Sequence, residues 1–294
     1  MSETEAWTVG RLLQWTTDFL KQKDSTSPRL DAEVLLATAR NCQRIELYTA
    51  FDEQPTEAIR DKFRSLVRRR AEGEPVAYLV GHREFYSLAF QVTRDVLIPR
   101  PETELLVVAL LDAAKELGVR QSSLSIADVG TGSGIVAICA AKHLPNCNVT
   151  AIDISTKALA VAQANIETHG VGERVELVES DLFSQVDDRQ FDLIASNPPY
   201  VSEPEMQELR SEVASYEPHL ALCGGPTGTE IIRRLVPAAA ERLAPGGYML
   251  LEVSPMIEQQ IHQIIEEHGG FETPRTLVDM AGLPRVVVAK RRVD

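Results

Sequence analysis

The sequence predicts an α/β domain, a mostly parallel sheet covered by helices on both faces, preceded by a small all-α bundle. Three observations carry that expectation. Residues up to about Gly81 place apolar side chains at helical spacing. The later part alternates short apolar runs with helical segments, the texture of strand–helix–strand units. The first of those runs ends in the glycine-rich stretch IADVGTGSGI.

In chain order, WTVGRLLQWTTDFL is a first helix, and SPRLDAEVLLATA opens with Ser27 as candidate N-cap and Pro28 at the first helical position. QPTEAIRDKFRSLVRRRAEG repeats the device with Pro55 and ends at Gly73. These form a bundle over residues 1–80, expected to dock a protein partner. From Gly81 to Pro99, Phe85, Leu88, Phe90, Val92 and then Val96 to Ile98 surround the turn-like Thr93-Arg94-Asp95, which reads as a β-hairpin linker over 81–100. The third part, 101–294, holds the strands LSIADVG, NVTAIDIS, RVELVES, FDLIASN, GGYMLLEVS and RVVVAK. GIVAICAAKHL, TKALAVAQANIETHG and MIEQQIHQIIEEHGG are its helices.

The totals exclude several functions. A chain of 294 residues is comfortable for two domains, and 44% hydrophobic residues suffice for packed cores. Thirty Lys and Arg against 43 Asp and Glu give a net charge of −13, which argues against a nucleic-acid partner because such binding draws on phosphate neutralisation. The basic run Arg60 to Arg70 reads as a solvated helix face. Cys42, Cys139, Cys147 and Cys223 are scattered, with neither metal spacing nor a disulfide framework. MSETEAWTVG lacks the pattern of a secretory signal, and Asp112 interrupts the apolar LLVVALLDAAKEL. The expectation is a cytoplasmic monomer with no metal, no membrane association and no direct nucleic-acid partner.

The glycine loop sets Asp128, Gly130, Gly132 and Gly134 at a strand end, where open α/β sheets bind ligands. A dinucleotide fingerprint needs glycine where Ile135 stands, so the pyrophosphate-cradling pattern is not matched. Asp153 ends the next strand at the spacing of a ribose-binding carboxylate. Asp181, in ESDLF, follows the third, placed to meet an adenine amino group, with Leu182 and Phe183 near the base. A nucleoside without phosphates fits this series, and S-adenosylmethionine is one whose ammonium end suits Asp128. The plainer reading of GTGSG is a tight strand-to-helix turn.

SNPPY, Ser196 to Tyr200, follows the fourth strand. A planar amide nitrogen is a poor nucleophile because its lone pair is delocalised. Two acceptors can take its two N–H hydrogens and hold it near a methyl donor: the Asn197 side-chain oxygen and the Pro198 carbonyl. Pro198 and Pro199 stiffen the corner, and the Tyr200 ring can stack on a flat group. Catalysis of this kind is proximity and orientation. The plainer reading has Asn197 capping a turn while the prolines end the strand.

SNPPY resembles the Asn/Asp-Pro-Pro-aromatic motif of S-adenosylmethionine-dependent amino methyltransferases. GHREFYSLAFQVTRDVLIPRPETELLV, DVGTGSG, SNPPY, YEPHLALCGG and MAGLPRVVVAK, preceded by SPRLDAEVLLA, are similar in order to the release-factor glutamine methyltransferases. That resemblance covers nearly the whole chain and is most specific at Ile98 to Glu104. It implies a Rossmann-like, seven-stranded methyltransferase domain after a helical bundle and a hairpin. It also implies methylation of the side-chain amide of the glutamine in the Gly-Gly-Gln motif of class 1 peptide release factors. Carried over by position, Gly130, Thr131, Gly132, Ser133, Gly134 and Asp153 would hold the cofactor. Leu182 would flank the adenine, Asn197 to Tyr200 would hold the glutamine, and Arg100 and Glu102 would line the cofactor side. The chain departs from the family in EVSPMIEQQ, where a Gly- and Gln-bearing turn is usual, and in GGPTGTEII, which lacks Asp-Gly-Leu.

Three other functions compete with this one. A sibling enzyme acting on a ribosomal-protein glutamine would share every cofactor residue. An adenine or guanine methyltransferase on nucleic acid would need a basic recognition face and would bind in a steeply salt-dependent way. A binding module retaining only the fold would not bind S-adenosylmethionine.

Overall fold

The computed structural model describes residues 6–23, 25–118 and 123–293. Its described residues divide into two compact units, one running up to His82 and including Ser211–Tyr216, the other made of Arg83–Arg210 and the chain from Glu217 onward.

The first unit is helical: α1 (Val9–Lys21), α2 (Pro28–Arg40), α3 (Glu46–Thr49), α4 (Glu57–Ala71) and α5 (Val76–Val80). Leu13, Leu20, Leu35, Leu36, Leu47 and Phe63 form its core, all buried. Ser27 stands at the N-cap of α2 with Pro28 inside the helix, but the Ser27 side chain makes no capping bond. Pro55 does not repeat that device: Thr56 is the N-cap of α4, its hydroxyl accepting from the Ile59 N–H, and Pro55 precedes it. The basic run is not one solvated face either. Arg70 is buried, its Nε 2.8 Å from Asp31 and its Nη1 3.2 Å from Glu212. The reason is periodicity: Arg70 continues the inward stripe of Phe63, Leu66 and Val67.

The first unit ends on the first residue of a two-stranded sheet, β1 (His82–Phe85) and β2 (Leu88–Gln91), the rest of which belongs to the second. The turn of this hairpin is Tyr86-Ser87, not Thr93-Arg94-Asp95. Both residues adopt positive φ, 49° and 60°, the conformation of a two-residue primed turn. Val96 to Ile98 form no strand. Thr93 and Asp95 instead bond to each other, Thr93 Oγ1 accepting from the Asp95 N–H at 3.2 Å.

After α6 (Thr103–Glu116), the chain alternates β3 (Leu124–Val129), α7 (Ile135–His143), β4 (Cys147–Asp153), α8 (Thr156–His169), β5 (Val175–Glu179) and β6 (Phe191–Ser196). The short β7 (Val201–Ser202), α9 (Glu203–Met206), α10 (Ser211–Tyr216), α11 (His219–Leu222) and β8 (Cys223–Gly225) follow. Then come α12 (Glu230–Arg242), β9 (Leu243–Glu252), α13 (Glu258–His268), β10 (Arg275–Val278) and β11 (Pro284–Lys290).

Seven strands make one sheet in the order β10-β11-β9-β6-β3-β4-β5; β11 runs antiparallel to both its neighbours, β10 and β9, and the other pairs are parallel. Both faces are buried, so successive strand residues enter different cores. Ile126, Leu193, Leu250 and Val286 meet α6 and α7 on one face. Ala127, Ile194, Leu251 and Val287 meet α12 and α13 on the other. The sequence reading anticipated six of the seven strands; it missed β10 and did not mark α6 or α12 as helices. No helix among the described residues is long and apolar enough to cross a membrane.

Candidate active site

The strand β3 pairs with β4 on one side and β6 on the other, so strand order reverses there. The crevice beyond the carboxyl ends of such strands is where open α/β sheets bind ligands. Val129 pairs with Ser196, and the Ser196 hydroxyl donates to the Val129 carbonyl at 2.7 Å. The loops starting at Gly130 and Asn197 therefore leave the sheet side by side. A cavity of about 370 Å³ opens between them, within the span of roughly 300–1,000 Å³ common to ligand pockets.

On the β3 side, the Gly130 and Thr131 N–H groups donate to the Ile152 carbonyl at 2.8 and 2.9 Å, anchoring the loop to β4. Asp128 is buried; its Oδ2 accepts from Thr131 Oγ1 at 2.6 Å and from the Ala137 N–H at 3.0 Å. Burial pushes this carboxyl up to about 6, with nearby Asp153 adding to the rise and the two hydrogen bonds opposing it. Asp153 Oδ2 accepts from the Gly132 N–H and Oδ1 from the Ser155 N–H, each at 2.9 Å. Burial raises its pKa as well. A carboxylate offers about four acceptor sites, so Asp153 keeps capacity for two hydroxyl donors, as a ribose diol requires.

Gly130, Thr131, Gly132, Ser133, Asp153, Asp181, Leu182, Asn197, Pro198 and Pro199 all border the cavity. Four residues expected at the site do not; one of them, Phe183, is buried in the core against Phe191, the ring centroids 5.9 Å apart. Gly134 is the N-cap of α7 at φ 83°, and a Cβ there would meet Ile138 Cδ1 at 3.3 Å and Ala162 Cβ at 3.4 Å. Its place is explained by helix packing. Glu102 lies outside the lining, 3.9 Å from Arg285, whereas Arg100 and Thr103 border the cavity. The Tyr200 ring packs against the core under α12 and α13 rather than bordering the cavity, and burial pushes its phenol up to about 12. Asp181 borders the cavity, yet its Oδ2 is 2.5 Å from Arg234 Nη2 of α12, so its acceptor capacity is shared with an ion pair.

Two buried carboxylates near the site escaped the sequence reading. Glu217 Oε2 accepts from the Ile98 N–H at 3.1 Å while Oε1 sits 2.5 Å from Arg100 Nη2, holding the Ile98–Arg100 segment at the cavity wall. Glu252, at the end of β9, is buried and pushed up to about 7 by desolvation. The available signal was a charged residue closing an apolar strand, Tyr-Met-Leu-Leu-Glu. Among the described residues no cluster of three or more His, Cys, Asp or Glu side chains is placed to hold a metal ion.

The arrangement pairs a glycine loop and ribose-type carboxylate on one strand end with a rigid amide-bearing corner on the next. Comparison with known proteins agrees with that chemistry. Residues 11–81 match the family model described as PrmC N-terminal domain, and residues 102–214 match the Methyltransferase small domain. The release factor glutamine methyltransferase of Rhodopirellula baltica is 50% identical over 291 residues, 98% of each chain. That of Koribacter versatilis is 43% identical over 92% of this chain and 94% of its own. Among solved structures, a methyltransferase from Pyrococcus furiosus shares the fold with a TM-score of 0.53 at 20% identity, covering 77% of this chain and 98% of that one.

Proposed function

The chain belongs to the release factor glutamine methyltransferase family, and from that premise we propose that it methylates the glutamine side-chain amide in the Gly-Gly-Gln motif of class 1 peptide release factors, with S-adenosylmethionine as donor. The observation that carries the reading is the adjacency of two loops: Gly130–Ser133 and Asn197–Pro199 border one cavity at the switch point of the sheet.

When bound, S-adenosylmethionine supplies a methyl group on a sulfonium sulfur, which keeps the electron pair as the methyl passes to nitrogen. Asp153 accepts from the ribose hydroxyls, and the Gly130–Ser133 backbone allows close approach. Leu182 flanks the base. Asn197 Oδ1 and the Pro198 carbonyl would accept the two N–H hydrogens of the substrate amide and so orient its nitrogen toward the methyl donor. The nitrogen would give up one proton to solvent as its bond to the methyl carbon replaces the sulfur–carbon bond. Orientation supplies the rate enhancement, and effective molarities for well-aligned groups reach about 10⁵–10⁸ M. Recognition of the protein substrate falls to the helical unit.

Incubation with labelled S-adenosylmethionine and a purified release factor, followed by mass spectrometry, tests this. The expected mark is one methyl on the Gly-Gly-Gln glutamine, absent when that glutamine is replaced by glutamate, which offers no N–H. Labelling of a ribosomal-protein glutamine, or of nucleic acid, in preference to the release factor would replace this reading with one of its rivals.

A further inference from the structure

The peptide unit that joins Ser133 to Gly134 closes the glycine loop, and both of its polar groups are engaged. The Gly134 N–H donates to the Thr131 carbonyl at 2.8 Å. The Ser133 carbonyl accepts from Asn165 Nδ2 of α8, also at 2.8 Å. Ser133 borders the cavity and is 3% exposed, whereas Asn165 is 1% exposed and stands behind the lining. The rest of the Asn165 amide is engaged too. Its Oδ1 accepts from the Gln91 N–H at 2.7 Å, and Nδ2 donates to the Gln91 carbonyl at 3.0 Å. An amide has two N–H donors: one goes to the end of β2 and the other to the glycine loop.

Packing of α8 on this strand does not by itself call for a bond to the loop. His169, four residues further along α8, reaches the Ala89 carbonyl through Nε2 at 2.9 Å, and its ring centroid lies 4.9 Å from that of Phe90. What the Asn165 bond adds is control of one peptide plane. Deprived of that donor, the Ser133 carbonyl would be a buried acceptor without a partner, which is destabilising. Gly134, at φ 83°, tolerates conformations that other residues avoid. Rotation of the Ser133–Gly134 peptide would relieve the orphaned oxygen by carrying it away from α8, and would break the Gly134–Thr131 bond as it did so.

We propose that Asn165 is a positioning residue for the cofactor: it fixes the Ser133 peptide, and with it the shape of the Gly130–Gly134 loop, and ties that shape to the end of β2. The inference rests on the reading of this loop as the S-adenosylmethionine site. Coupling between two places is reciprocal. A ligand that orders the loop therefore also holds Gln91, although Gln91 does not border the cavity.

The test uses the full-length chain and S-adenosylmethionine alone, so it needs no protein substrate. Calorimetry compares the parent with N165D and H169F. N165D keeps the shape and the acceptor for the Gln91 N–H but removes both donors. H169F keeps a ring beside Phe90, loses the bond to Ala89 and touches no loop atom. The dissociation constant is expected to rise roughly 10- to 100-fold in N165D, the effect of leaving a buried acceptor unpaired, and to stay within a few-fold in H169F. Hydrogen exchange of the parent gives a second readout. The cofactor should slow exchange of the Gln91 amide roughly five-fold or more, the size of ordinary coupling. Should N165D not fold, this readout decides by itself. Parent-like affinity in N165D, equal losses in N165D and H169F, or a Gln91 amide indifferent to the cofactor would overturn the proposal. A parent chain that binds S-adenosylmethionine without methylating a release factor would count against the substrate reading alone, and one that binds none would overturn both.

Discussion

A Cβ built on Gly224 would stand 2.6 Å from the carbonyl oxygen of Pro199 and 2.7 Å from that of Gly228. Real Cβ atoms do not come so close to backbone, so β8 can lie along the Asn-Pro-Pro-Tyr corner only because this residue has no side chain. The pairing of Val201 with Cys223 keeps the two segments together.

Gly224→Ala should therefore push the Pro199 carbonyl out of place without touching the glycine loop. We expect kcat to fall about 10- to 100-fold, the loss that accompanies an ångström-scale misplacement, while calorimetry shows S-adenosylmethionine affinity within a few-fold. An equal loss of affinity would mean that β8 supports the whole cavity.

Asp153→Asn keeps the shape but removes the charge and turns one acceptor into a donor facing the Gly132 N–H. Hydrogen bonds to charged groups contribute about 1.5–3 kcal/mol, so the cofactor dissociation constant should rise roughly 10- to 100-fold. Turnover at saturating cofactor should change little, which separates this residue from Asn197.

Stability should carry the mark of Glu252. Its folded-state carboxyl stands at about 7 against an ordinary 4.5. Between those values the folded chain holds a proton that the unfolded chain releases, so stability falls as pH rises through that window. Gln has no such proton. E252Q is expected to melt close to the parent at pH 4 and higher than it at pH 8, by at least about 2–4 °C, the shift made by about 1 kcal/mol in a domain of this size. The same substitution lowering the melting temperature at pH 8 would contradict the burial argument.

Arg70 predicts a different penalty. Arg70→Met leaves Asp31, whose side chain is 11% exposed, without its principal partner, and uncompensated buried charge costs about 3–5 kcal/mol. Urea unfolding followed by tryptophan fluorescence reports on this unit, since both tryptophans, Trp7 and Trp15, belong to it. Adding Asp31→Asn should recover part of the loss.

What could be read from the sequence was what local chemistry writes. Apolar runs marked the parallel strands because both faces of the sheet are buried, and the glycine loop and SNPPY stood at strand ends where the cavity lies. The hairpin turn escaped because Tyr86 and Ser87 carry no Asn-Gly or Asp-Gly signal, while Thr-Arg-Asp looked like a turn and was one, outside any strand pair. The helix α12 was obscured by Pro237 inside it. The Asp181–Arg234 pair spans 53 residues. Such partners are set by topology, and spacing along the chain does not reveal them.

The central claim is that the Asn197 side chain holds the substrate amide and contributes little to cofactor binding. The direct measurement is methyl transfer and S-adenosylmethionine affinity, side by side, for the parent chain and Asn197→Ala. Transfer should be abolished while affinity stays within a few-fold. Parallel loss of both, or transfer that persists, would contradict it.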